Sequence, residues 1–229
     1  MSRIDREPAF VLHRRPYRET SLIVELLTAR HGRIAGVARG ARSARSGLRA
    51  FGQPFRPLEI GWSRRGELAT LTGAEPIGQV VTLTGRALWC GLYANELLLR
   101  LLPRDVEEPE LFLAYADLLP QLPEPAGQGP ALRRFEWMLL SALGVAPEID
   151  VVGEARIAVD PDAGYRIDPD RGPEPARGRT AIPGHALRAL AADRALSPAE
   201  AAALRRPMRE LIERQLDGRP LQTPKLLRD

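Results

Sequence analysis

The chain has 229 residues, 44% of them hydrophobic and 27% charged, with a formal net charge of +4, which suits a globular protein with one large core or two small ones. One cysteine, Cys90, excludes an internal disulfide and any multi-cysteine zinc site. The opening residues MSRIDREP lack the apolar run of a signal peptide, and the densest apolar run, residues 97–102, is too short to span a bilayer and carries Arg100, so a cytoplasmic location is expected.

The first 80 residues read as strands. AFVLH (9–13), SLIVELLT (21–28), GRIAGVA (32–38), PLEIGWS (57–63) and ELATLT (67–72) are separated by turn-forming stretches, and the last two are joined by Arg64, Arg65 and Gly66 in the manner of a hairpin. Five short strands in so short a stretch predict a small barrel or sandwich; the pattern alone does not separate an SH3-like barrel from an OB barrel. Near Thr84 the character changes. GRALWCGLYANELLLRLLP (85–103) is apolar nearly all round and predicts a buried helix. Residues 109–122 and 129–145 are amphipathic, with Pro130 placed to start the second helix, and the proline- and glycine-rich residues 123–130 read as a loop.

From Glu148 to Pro183 the helical signal stops. EARIAVDPDAGYRIDP reads as a hairpin with an Asp/Pro/Gly turn, and DRGPEPARGRTAIPG as irregular. Helices return with HALRALAA and SPAEAAALRRPMRELIERQLDG, where Ser197 suits the N-cap, Pro198 the first turn and Gly218 the C′ position; Pro207 should kink or split the last helix. The implied division is residues 1–80, then a helical domain over 81–229 with an excursion at 148–183.

Catalytic chemistry finds little support. There is no phosphate-cradling glycine motif. DPDAGYRIDPD fails as a calcium loop because glycine stands fifth rather than sixth and Arg171 occupies the twelfth position. His13, His31 and His185 have no ligand-like spacing, and Glu107, Glu108 and Glu110 suit a helix N-terminus better than acid–base work. A protein without catalytic residues is expected.

The charge is concentrated at one end. Residues 1–80 hold 14 Arg against 7 Asp and Glu, a balance of +7, while the rest hold 19 Lys and Arg against 22 acids, a balance of −3. Within ARGARSARSGLRAFG (38–52), Arg39, Arg42, Arg45 and Arg49 are spaced by small residues with no carboxylate among them. Arg14, Arg15, Arg18, Arg56, Arg64 and Arg65 belong to the same domain, interleaved with Tyr17, Phe51, Phe55 and Trp62. Guanidinium groups pair bidentately with phosphate, and aromatic faces stack bases, so the pattern points to nucleic acid bound without base reading. Two plainer readings stand beside it: a solvated helix face for the arginines, and the barrel core for the aromatics, Phe55 and Trp62 above all.

The segment from AFVLHRRPYRETSLIVELL to QPFRPLEIGW resembles the N-terminal domain of the bacterial RecO family of recombination and repair proteins. The resemblance continues through GELATLTGAEP, LYANELLLRLLP and LRRFEWMLLSALGVAP and ends in GRPLQTPKLL. It implies an α+β protein of more than one domain: a five-stranded OB-fold barrel, then a mainly helical domain with a small hairpin. It also implies binding to single- and double-stranded DNA, annealing of complementary strands, contact with the C-terminal tail of single-strand-binding protein, and, with RecR, loading of RecA, at the nucleoid. Arg14, Arg15, Arg39, Arg42, Arg45, Arg49, Arg64 and Arg65 are the candidate DNA contacts. An acidic tail with apolar end residues needs a groove flanked by cations, and Arg133, Arg134 and Trp137 are the candidates for that. Some family members carry four zinc-binding cysteines after the segment matching LSALGVAP; none stands here, so no zinc or other cofactor is expected and packing alone must hold the hairpin. An OB-fold RNA-binding factor and a non-catalytic interaction scaffold are the alternatives.

Overall fold

A computed structural model describes residues 2–43 and 46–223. Two compact units make up the chain: one runs over Met1–Pro120 and takes the chain back from Leu221, the other is Gln121–Pro220.

The first unit opens with β1 (Ser2–Tyr17), β2 (Ser21–Thr28) and β3 (Gly32–Ala38), then a 3-10 turn at Arg49–Gly52, β4 (Pro57–Arg64) and β5 (Ala69–Pro76). They close a barrel in the order β1-β2-β3-β5-β4. β3 and β5 run parallel, and β1 completes the ring by pairing with β4. This closed five-stranded path is the OB arrangement, and it decides between the two barrels the strand pattern had left open. β2 and β3 fall where the alternation predicts. β1 is much longer than residues 9–13, because it pairs twice: its first half with β4, from Ser2↔Arg64 to Phe10↔Pro57, and its second half with β2, from Ala9↔Thr28 to Tyr17↔Ser21. The charged residues of 2–8 and 14–18 hid those ends from a reading by hydrophobic pattern.

Ala9, Val11, Val24, Leu26, Ile34, Leu58, Ile60, Trp62 and Leu71 fill the barrel. Phe51 is fully buried with them, and Phe55 and Trp62 are each 3% exposed. α1 (Gly85–Leu101) and α2 (Pro109–Gln121) follow the barrel. α1 packs tightly on Phe55: a Cβ on Gly91 would lie 2.8 Å from the Phe55 ring. Phe10 meets Phe112 and Tyr115 of α2 with ring centroids 5.4 and 5.1 Å away. α1 buries one face, including Ala87, Cys90, Ala94 and Leu98, rather than its whole circumference.

The second unit begins with α3 (Pro125–Ala142). This corrects the expected loop at 123–130. Pro125 sits in the first turn of the helix, and Pro130 is carried inside it. Gly127 is needed there, because a Cβ would stand 2.9 Å from the Gln121 carbonyl oxygen. Small strands follow: β6 (Val151–Val152) pairs with β7 (Ile157–Ala158), and β8 (Gly164–Asp168) pairs with both β9 (Gly172–Pro175) and β10 (Ile182–Pro183). The Asp/Pro/Gly stretch therefore links two hairpins instead of turning one, and the segment expected to be irregular supplies two strands. Packing carries this region: Ile149, Val159 and Ile182 are each 1% exposed, and the buried Tyr165 hydroxyl accepts the Asp160 N–H at 2.9 Å.

α4 (Gly184–Ala191) and α5 (Pro198–Gln215) end the unit. Ser197 caps α5 in a reciprocal box with Glu200. α5 runs unbroken through Pro207, so it is not split in two; its C-cap is Leu216, so Asp217 takes the C′ position at φ 48° and Gly218, also left-handed at φ 74°, follows it.

Candidate nucleic-acid interface

The strand register sorts the barrel's arginines. Residues paired across an antiparallel ladder share a face, and neighbours along a strand alternate. Arg14 pairs with Val24, which is fully buried in the core, so Arg14 leaves the ribbon on the side of the barrel's mouth. Arg15 pairs with the half-buried Ile23, and Ile23 with Val37, so Arg15 stands on the outer face of β1, β2 and β3. Arg39 follows the inward-facing Ala38 and is exposed. Tyr17, half-buried at the end of the same face, has the Arg18 guanidinium 5.2 Å from its ring centroid.

The segment after β3 is an anchored plug, not a free loop. Ala41 and Phe51 are buried in the barrel core, with Leu48 and Ala50 packed against it. Arg42 is tied to the β1–β2 turn: its backbone N–H donates to the Thr20 carbonyl at 2.9 Å, and its Nη1 to the Glu19 carbonyl at 3.0 Å. The apolar residues point inward and leave Arg42 and Arg49 exposed around the mouth. Both acceptors of Arg42 are neutral, so its charge remains uncompensated. Arg45 lies outside the described residues.

Arg64 and Arg65 sit elsewhere. Arg64 pairs with Ala69, which pairs with Gly36, so the β4–β5 turn hangs toward the start of β3 while the plug leaves from its end. Arg64 donates to Asp105 at 2.6 Å and is only 23% exposed. Its charge is therefore already met, which removes the simplest reason to aim it at phosphate. Arg65, in the turn itself, is exposed. Nearby, Glu25 accepts from Arg33 at 2.9 Å and also from Arg104, while the Asp105 N–H donates to the Arg33 carbonyl at 2.9 Å. This network closes the gap in the wall where β5 has not yet begun.

Phe55 and Trp62 are core, as the plainer reading had it, and Phe51 is core as well; Tyr17 is the one of the four aromatic residues that is half-buried. Sequence reading missed the outer-face pair Ile23 and Val37, because Ile23 stands between two other apolar residues, Leu22 and Val24, and only the register shows which way it faces.

In the second unit, the three partner-binding candidates separate. Arg133 is buried and donates to Glu136, itself 1% exposed, within α3. That corrects its expected role, since a buried paired guanidinium offers nothing to a ligand. Arg134 grips Asp193 with bonds of 2.5 and 2.9 Å, and the guanidinium holds that carboxyl below its usual range. Trp137 is half-buried.

No group of three or more metal-binding side chains occurs among the described residues, and no described helix is long and apolar enough to cross a membrane.

The family model for the recombination protein O N terminal matches residues 1–80, and the C-terminal model matches residues 83–224. The chain belongs to the recombination protein O family. It is similar to the DNA repair protein RecO of Methylococcus capsulatus, 44% identical over 99% of this chain and 94% of that one. It is also 43% identical to RecO of Stenotrophomonas maltophilia strain K279a over 98% and 96% of the two chains, and 44% identical to RecO of Aromatoleum aromaticum over 99% and 96%. The chain is thus a member of a DNA repair and recombination family, and its barrel is the family's N-terminal domain.

Proposed function

We propose that this chain is a non-catalytic DNA-binding recombination mediator. It binds single- and double-stranded DNA, promotes annealing of complementary strands and, with RecR, helps place RecA on single strands coated by single-strand-binding protein, working at the nucleoid. The observation that carries this reading is the exposed arginine surface at one end of an OB barrel: Arg14, Arg15 and Arg39 make no ion pair with a described residue, and Arg42 is held only by backbone carbonyls. Unneutralised guanidinium groups on a rigid scaffold bind phosphate, and the acid-free plug suits a backbone that is acidic throughout.

Arg14, Arg15 and Arg39 are not fixed for reading bases, and Arg42 is held by a backbone carbonyl. Arginine can address guanine, but recognition requires a held geometry, and Arg14, Arg15 and Arg39 have no described partner to hold them. Affinity should therefore vary little with sequence. The tail of single-strand-binding protein remains a partner in this reading, with Trp137 and Arg134 as the accessible members of the proposed contact.

The test follows RecA assembling on DNA coated with single-strand-binding protein, with and without this chain and RecR. Faster assembly only when both are present supports the proposal. Equal rates with and without this chain would overturn the mediator role, and strong preference for RNA over DNA of matched sequence would favour an RNA-binding factor.

A further inference from the structure

We propose that the β1–β2 ribbon carries two separate phosphate tracks, one on each face, so that a single chain holds two nucleic-acid strands at once. This rests on the DNA-binding reading above and states how that surface is divided.

Arg14 and Arg15 are consecutive, exposed, and make no ion pair with a described residue, yet they serve different sides. The register sets Arg14 opposite the core residue Val24 and Arg15 opposite Ile23. A second observation fixes the side of Arg14 independently. Its Nη1 lies 3.7 Å from the place a Cβ on Gly52 would occupy, and Gly52 ends the 3-10 turn of the plug. Arg14 therefore joins the rim of the mouth, together with Arg42 of the plug. Arg15 joins Arg39 and the Tyr17 ring on the outer face.

Side chains leaving opposite faces of a sheet carry their charged ends about 10 Å apart, by the spacing of packed sheets. That is too far for one phosphate to touch both. It is comparable with the Debye length of about 10 Å at 0.1 M salt, so the charge of each track still lowers the repulsion felt by a strand on the other. The acid on the outer face, Glu25, is already held by Arg33 and Arg104 and does not oppose a strand there. The anchored plug keeps the rim in place relative to the ribbon. Two strands held side by side without base contacts keep their bases free to search for pairing.

The division is tested by stoichiometry. Non-complementary single strands of about ten nucleotides, within the span of one OB fold, are titrated at low salt into the full chain. The same titration is made with a rim variant, Arg14→Glu with Arg42→Glu, and a face variant, Arg15→Glu with Arg39→Glu. Circular dichroism and size-exclusion elution confirm that each is folded and in the parent's oligomeric state. The expected result is two oligonucleotides per chain for the parent and one for either variant. Saturation of the parent at one per chain, or loss of all binding in either variant alone, overturns the two tracks. A parent that binds no oligonucleotide overturns the DNA-binding reading itself.

Discussion

The Tyr115 hydroxyl donates to Asn95 Oδ1 at 2.5 Å, with both residues buried. Asn95 passes the connection on, its amide donating to the Leu12 carbonyl of β1 at 2.9 Å. One chain of polar groups thus fixes α2 to α1 and α1 to the barrel, at the bulge where the β1 ladder shifts register between Val11 and His13. Burial pushes the Tyr115 pKa up, so the hydroxyl keeps its proton and remains a donor. Tyr115→Phe leaves the shape intact and takes the donor from a buried acceptor, which costs about 1–3 kcal/mol. Denaturant unfolding should show that loss with an unchanged slope.

Glu96 of α1 holds the returning chain. It accepts the Gln222 N–H at 2.8 Å, the Thr223 N–H at 2.8 Å and the Thr223 hydroxyl at 2.6 Å. Burial alone would raise its carboxyl pKa; the Thr223 hydroxyl, the two N–H groups and Arg100 outweigh that and set it below the ordinary 4.5. A lowered folded-state value means the contribution is present above the ordinary value and is lost as pH falls through the folded one. Hydrogen exchange at the Thr223 amide should be slow at neutral pH and accelerate, relative to the intrinsic rate, as pH falls through the lowered folded-state value of Glu96. In Glu96→Gln it should be fast at both. A slow Thr223 amide in that variant would refute the latch.

The Arg133–Glu136 pair predicts a stability effect where the sequence suggested a binding one. Removing one member of a buried pair strands the other, so Arg133→Ala should cost about 3–5 kcal/mol. Replacing both with apolar residues of similar volume, Arg133→Met with Glu136→Leu, should recover most of it. Thermal melts of the three proteins check the order, and a single variant as stable as the parent would contradict the buried pairing.

Chelation provides a further check. No described cluster can hold a metal ion, and apolar packing of Ile149, Val159, Tyr165 and Ile182 supports the small strands. Dialysis against a strong chelator should leave the melting temperature unchanged, and elemental analysis should find no zinc at one per chain.

The barrel was legible because β2 and β3 are short apolar runs that end at turn residues; both ends of β1 were not, because charged residues there pair through the backbone while their side chains stay in water. The helix at 125–142 was hidden by Pro125, Gly127, Gly129 and Pro130, whose local preferences tertiary packing overrides. The arginine segment was legible as a charged surface, but not as a plug. Ala41, Leu48 and Phe51 carry that information, but their spacing of seven and then three residues equally fits one face of a solvated helix, so the pattern alone does not reveal a plug. Nothing in the one-dimensional pattern separates Arg133, buried, from Arg134, half-exposed, since both follow Leu132 on the same helix.

The central claim is that the exposed arginines of the barrel's mouth and of the adjoining outer face meet phosphate. The most direct measurement is the dependence of binding on salt, using a long single strand that can run over both faces of the ribbon. Each phosphate contact contributes about −0.7 to the slope of log K against log salt, so replacing Arg14, Arg15, Arg39 and Arg42 with alanine should flatten it by roughly 3 units. These side chains are exposed, so the variant should remain folded by circular dichroism. A folded quadruple variant with the parent's slope would contradict the account.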